Sequence, residues 1–195
     1  MELLVSLGRT LGFSLTSGVN LYATVAILGL AARFDWVSLP PQYQVFASDW
    51  IIGTALVLYA VEFVADKIPY IDSMWDTVHT FIRPIGGAAV AAATVADGAS
   101  PVFEGMIALL GGTIAAGSHF TKASTRVAAN ASPEPFSNWA LSFFEDFFVI
   151  GLGILALKFP IAAFVVTVLI LIVIVFSIRW MVRKIRGLGK PVPTL

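Results

Sequence analysis

The sequence predicts an all-α, polytopic membrane helix bundle of about six membrane segments, and three observations lead there. Hydrophobic residues make up 58% of the chain and charged residues 12%, where a soluble domain carries roughly a quarter charged residues; the mean hydropathy is +0.89. The stretch Ile161 to Ile178 holds no charge over 18 residues, close to the roughly 20 that cross a hydrocarbon core. Two other apolar stretches open on a tryptophan, the side chain that settles at headgroup level.

In chain order, the first segment runs from Glu2 to Phe34 and is interrupted by Ser14, Thr16, Ser17, Gly18 and Asn20. Glycine beside hydroxyl side chains lowers helix propensity and frees backbone groups, tolerated at membrane depth only inside protein or along water. A broken or re-entrant helix is expected here. Trp50 to Ala65 is the second segment and Val78 to Ala96 the third, the latter rich in small residues (Gly86, Gly87, Ala88, Ala89) that let helices approach closely in lipid. Pro101 to Asn130 repeats the interrupted pattern around Gly117, Ser118 and His119, so a second broken helix is expected. Trp139 to Leu157 and Ile161 to Ile178 complete the six, in a single transmembrane domain over 1–195.

An even number of segments puts both termini on one side. With the basic tail 179–195 (Arg179, Arg183, Lys184, Arg186, Lys190) in the cytoplasm, ten basic residues fall inside against Arg33 and Lys158 outside, a strong positive-inside bias for a plasma-membrane protein. The tail itself suits anionic headgroups. It lacks the interleaved aromatics of a nucleic-acid surface, so no nucleic-acid partner is expected. The amino terminus lacks a basic n-region, so no cleaved leader is expected. The absence of cysteine excludes disulfides and thiol chemistry.

The order of interrupted segment, acid-bearing span and third span occurs twice, in halves 1–97 and 101–183. Short echoes accompany it: Ser17-Gly18-Val19-Asn20 with Ala116-Gly117-Ser118-His119, and Lys67-Ile68-Pro69 with Lys158-Phe159-Pro160. Three spans per half would make an inverted repeat of the kind found in secondary transporters; chance agreement among common apolar dipeptides is the alternative. A bundle of six elements is narrow, so a homodimer is expected to enclose any cavity.

Charges inside the apolar stretches mark the candidate site. Glu62 and Asp66 are four apart and share a helix face; Asp72 and Asp76 repeat the spacing, with His79 and Arg83 continuing the stripe. Pro69 and Pro84 bracket a short helix or re-entrant loop. His119, Lys122 and Arg126 form a basic stripe that can answer the acidic one, and Glu145 and Asp146 stand among Phe143, Phe144, Phe147 and Phe148. Intramembrane charges face a partner, a water cavity or a transported ion. The plainer readings are a solvated loop for Asp72 and Asp76, headgroup anchors for Lys122 and Arg126, and a helix cap for Glu145 and Asp146. With Ser17 and Asn20 these residues make up the expected ion- or substrate-binding set.

The runs Ser17-Gly18-Val19-Asn20-Leu21-Tyr22 and Glu62-Phe-Val-Ala-Asp66-Lys67-Ile-Pro69-Tyr-Ile-Asp72-Ser-Met-Trp75-Asp76, then Arg83-Pro84 with its Gly-Ala tract, resemble the bacterial membrane family catalogued only as domain of unknown function 4126. The resemblance implies a small integral membrane protein and no particular substrate.

Three functions are open on these residues. One is a transporter or permease for an ion or a small or lipid-linked anionic solute, with proton coupling through Glu62 or Asp66. Another is a non-transporting scaffold or lipid-binding protein held together by its charge network. The third is an intramembrane enzyme using a metal on Glu62, Asp66, Asp72, Asp76 and His79, against which stands the absence of a His-Glu-x-x-His motif, a Gly-x-Ser-x-Gly elbow or a phosphate-binding loop. No cofactor is implied.

Overall fold

A computed structural model describes residues 1–95, 99–131 and 135–188. Seven α-helices account for most of them: α1 (Glu2–Val19), α2 (Leu21–Arg33), α3 (Asp49–Ala65), α4 (Ile71–Ala92), α5 (Pro101–Asn130), α6 (Pro135–Lys158) and α7 (Pro160–Leu188), with a 3-10 segment Pro41–Ala47 before α3. The lower end of the bundle is defined here by the α3–α4 turn at 66–70, and the upper end by the α6–α7 turn at Phe159.

α1 is the central helix. From Thr10 to Val19 every residue is buried, packed against α4, α5, α6 and α7. Its hydroxyls are made harmless by bonding back along the helix: Thr10 to the Ser6 carbonyl at 2.9 Å, Ser14 to Thr10 at 2.7 Å and Ser17 to Phe13 at 2.7 Å. Such back-bonding lets polar side chains sit in an apolar interior. Thr10 also meets Thr94 at 2.6 Å, tying the upper part of α1 to the end of α4.

Asn20 separates α1 from α2 by adopting an extended conformation (φ −149°, ψ 99°). Its backbone N–H closes α1 on the Thr16 carbonyl, while its Oδ1 accepts from Ala23 N at 2.9 Å and so caps α2. The two helices form a hairpin. α1 descends beside α7, with Gly8 against the backbone of Pro160 and Gly12 against Ala163 and Thr167. α2 returns upward, from Tyr22 beside His79 through Ile27 beside Gly153 to Arg33, paired with Asp49 at the start of α3. A Cβ at Gly8 or Gly18 would overlap a backbone carbonyl, of Pro160 or Ala115 respectively; glycine is what admits the hairpin this closely.

Several expectations are corrected. Among the described residues three helices are long and apolar enough to cross a membrane, Pro101–Asn130, Phe136–Lys158 and Pro160–Arg183, and four if the 3-10 segment and α3, bent by 61°, count as one interrupted span; the six expected are not found there. α1 and α4 fall short because their inner faces carry hydroxyls or charges. The qualifying bend lies before α3, and α5 runs unbroken through Gly117-Ser118-His119, where Ser118 donates to the Leu15 and Ala115 carbonyls. α4 continues through Pro84, which removes one intrahelical bond without ending the helix. Four α-helices precede residue 97 and three follow among the described residues, so the halves 1–97 and 101–183 do not repeat one architecture.

The expected sidedness also changes. Because α1 and α7 start together at the upper end and run parallel, the start of α1 and the end of α7 lie at opposite ends of the bundle. Of the basic tail, Arg179 and Arg183 are exposed at the lower end; Lys190 and the side chains of Lys184 and Arg186 lie outside the described residues. The chain has no cysteine, so single-cysteine variants can be labelled without background. Glu2→Cys and Arg183→Cys are expected to react with an impermeant maleimide from opposite faces of the membrane; labelling from the same face would contradict the parallel packing of α1 and α7.

Candidate functional site

Four helices and the tip of the hairpin meet around three buried cations. α3 ends with Glu62 and Asp66; α4 presents Asp72, Asp76, His79 and Arg83 at helical spacing; α5 brings His119, Lys122 and Arg126; α6 brings Asn138 and Glu145. The side chains of Glu62, Asp66, Asp72, Asp76, Arg83, Lys122 and Arg126 are 0–4% exposed, and that of Glu145 is 11% exposed.

Arg83 pairs with Glu62 at 2.7 Å and with Asp76 at 3.0 Å. Lys122 stands 2.8 Å from Asp66, 3.3 Å from Glu62 and 3.4 Å from Glu145. Arg126 grips Glu145 with two nitrogens, Nη2 to Oε2 at 2.5 Å and Nε to Oε1 at 3.2 Å, and reaches Asp66 at 3.4 Å and Asp72 at 3.8 Å. Such forked pairing is the strongest geometry open to a guanidinium. The hairpin tip contributes backbone carbonyls: Val19 accepts from Lys122 at 3.3 Å and Gly18 from Arg83 at 3.5 Å. These are the free carbonyls at the end of α1, where the helix dipole is negative.

The histidines belong to the network's rim. His79 Nδ1 lies 2.7 Å from the Trp75 carbonyl, so it carries the proton, and Nε2 accepts from the Tyr22 hydroxyl at 2.8 Å. His119 is the opposite tautomer, with Nδ1 accepting from Arg83 at 2.7 Å and Nε2 3.2 Å from the Thr80 hydroxyl. The bonds to both rings are those of neutral imidazole.

The plainer readings of the charges fail on burial. Asp72 and Asp76 are interior rather than solvated, and Lys122 and Arg126 are interior rather than snorkelling. Glu145 is an ion-pair partner of two cations, not a helix cap. Ser17 and Asn20 are placed at the site, but their side chains are spent on the Phe13 carbonyl and the Ala23 N–H; what meets the cations is the neighbouring main chain. Asp146 stands apart from the central cations, hydrogen-bonded to Tyr59 and close to Lys67.

Four residues outside the expected set complete the lower side. Asn130 donates to Asp72 at 2.8 Å and Ser73 at 2.9 Å, and Asn138 donates to Asn130 at 2.6 Å. Lys67 donates to Ser142 at 3.0 Å and lies over the Phe63 ring; burial holds its ammonium below the ordinary lysine range, against the pull of Asp146 and Asp66. Tyr59 joins through Asp146. The sequence signal for Asn130 and Asn138 is thin, since neutral amides near helix ends are commonly caps.

Among the described residues no three His, Asp or Glu side chains come together as a metal would need; each central carboxylate is turned toward a cation instead. The network also closes within one chain, so the site needs no second copy to complete it. Not every acceptor is satisfied. Glu62 Oε2, Asp66 Oδ1 and both Asp76 oxygens are buried without a hydrogen bond, although Asp76 Oδ1 is within ion-pair distance of Arg83, off the donor direction.

Helices of this length and apolarity around a buried ion network define a helical membrane protein. The chain belongs to the family described as Domain of unknown function (DUF4126), whose model matches residues 7–180. No curated protein and no solved structure matches it.

Removing one member of a buried pair leaves an uncompensated charge, at about 3–5 kcal/mol. Arg83→Met is therefore expected to lower thermal stability in detergent by that order, and Arg83→Met combined with Glu62→Met to recover part of it. Strictly additive losses in this double-mutant cycle would mean that the 2.7 Å pair carries no coupling.

Proposed function

We propose that this protein is a small membrane transporter for a cation, coupled to protons held by its buried carboxylates. The observation that carries the reading is the sign of the network. Six buried carboxylates, Glu62, Asp66, Asp72, Asp76, Glu145 and Asp146, face buried Arg83, Lys122 and Arg126 and the half-buried Lys67: six against four leaves an excess of two. In a low-dielectric interior that excess is met by protons shared over the cluster or by a bound cation. The carbonyl end of α1 adds to the negative potential. An anionic substrate is disfavoured on the same ground, since Lys122 and Arg126 are each already surrounded by carboxylates.

The orientation is read from charge. α7 runs on to Leu188, so Lys67, Arg179, Arg183, Lys184 and Arg186 fall at the lower end against Arg9, Arg33 and Lys158 toward the other, and five against three makes the lower end the cytoplasmic face of the plasma membrane in this reading. Exposed Arg179 and Arg183 lie against anionic headgroups in this arrangement.

A second reading has a specific observation behind it. Each central cation has at least two carboxylate partners, as a purely structural clamp would, which supports a scaffold. Proteoliposomes carrying an imposed pH gradient separate the two. With a panel of monovalent and organic cations, at least one is expected to dissipate the gradient in the wild type, and about tenfold more slowly in Glu62→Gln and Asp146→Asn. If no cation does so while Glu62→Gln lowers the thermal midpoint, the protein is a scaffold.

A further inference from the structure

A cleft of about 650 Å³ opens on the side of the bundle between α5, α6 and α7, with Leu15 and Val19 of α1 at its back. Its volume is that of a small-molecule site. The walls are hydrocarbon, from side chains such as Leu141, Val166, Ile170 and Val173, and the floor is Lys122 and Glu145. An opening on the flank of transmembrane helices faces acyl chains rather than water. The cleft therefore joins the lipid phase to the ion network, and it does so at Glu145, the most exposed of the network's ion-paired side chains.

We infer that this cleft binds a lipophilic cation, with a hydrocarbon chain along the apolar walls and an ammonium head at Glu145. Three features choose this occupant. The walls take a hydrocarbon tail, and the hydroxyls among them, Ser118, Thr121 and Thr125, already donate to main-chain carbonyls. The floor disfavours an anionic head: Lys122, its one cation, lies within 3.4 Å of Asp66, Glu62 and Glu145, and an anion would add to an existing surplus of negative charge. Phe144 and Phe148, one helical turn apart on α6, flank Glu145 and line the same cleft, and aromatic faces attract ammonium groups. Glu145 already pairs with Arg126 through both oxygens and with Lys122 at 3.4 Å, so an ammonium there is an added partner that answers the surplus of the wider network, and binding from the bilayer is thereby linked to proton release. The inference rests on the cation reading above and names its substrate class.

The probe is dodecyltrimethylammonium, measured by equilibrium binding to protein in nanodiscs with empty nanodiscs subtracted, beside dodecyl sulfate and dodecyl maltoside, which share its tail. Saturable binding of the cation is expected, with the anionic and neutral analogues about tenfold weaker or worse. Two sets of variants lie on the walls, outside the ion network; Val173 and Phe144 are exposed, and because Phe148 packs against the core the thermal midpoint of the double phenylalanine variant is measured beside its binding. Val173→Trp fills the cleft and is expected to abolish binding, and Phe144→Ala with Phe148→Ala to weaken it about tenfold. Equal binding of all three amphiphiles, or binding that survives Val173→Trp, overturns the inference. Saturable binding without any cation-driven proton flux overturns the transport reading and leaves the cleft assignment standing; flux without binding overturns the cleft assignment alone.

Discussion

The whole lower half of the bundle is organised by the need to answer three positive charges away from water. An ion in such a place costs several kcal/mol unless partners stand at contact distance, and in lipid the helices gain little from hydrophobic burial against one another. Helix placement is accordingly dictated by ion pairs: α3 must end where Glu62 and Asp66 reach Arg83 and Lys122, and α6 must enter where Glu145 can fork onto Arg126. Even the end of α1 is drawn in, because the carbonyls of Gly18 and Val19 supply acceptors that no side chain there provides. Small residues higher up, such as Gly111 against Ala91, let α4 and α5 close on one another without pulling this cluster apart.

The charged members of the site were legible because charge is rare in apolar sequence, and helical spacing told which of them share a face. Lys122 and Arg126 lie four apart on one helix and do face the acids of α3 and α4. Less was legible where neutral groups do the work. Ser17 and Asn20 look like ligands in sequence but satisfy their own backbone, and Asn130 and Asn138 look like caps but bridge helices. Helix continuity is hidden for a related reason: glycine and serine near position 117 weaken local propensity, yet Ser118 bonds to two carbonyls and α5 packs against α1 and α4, which outweighs that weakness. Sidedness could not be read from span counting, because the first two helices form a hairpin that returns to its own side.

The network is both closed and unbalanced, and the two properties pull toward different roles. Closure holds the helices in place; imbalance keeps at least part of the cluster receptive to a positive species. The lateral cleft gives that receptivity a direction. It approaches the cluster from the hydrocarbon side, on the helix that carries Glu145, while the lower side is sealed by the Asn130 and Asn138 bridges and by Trp139 donating to the Lys67 carbonyl at 3.1 Å.

The turn at Asn20 has a consequence for how the protein is assembled. α1 and α2 precede α4 and α5 in synthesis, yet the Gly18 and Val19 carbonyls at their tip meet Arg83 and Lys122 only once α4 and α5 stand beside them, and lipid offers no donor in the meantime. The tip of the hairpin is thus completed by helices made after it. At this one contact, assembly closes against the order of synthesis.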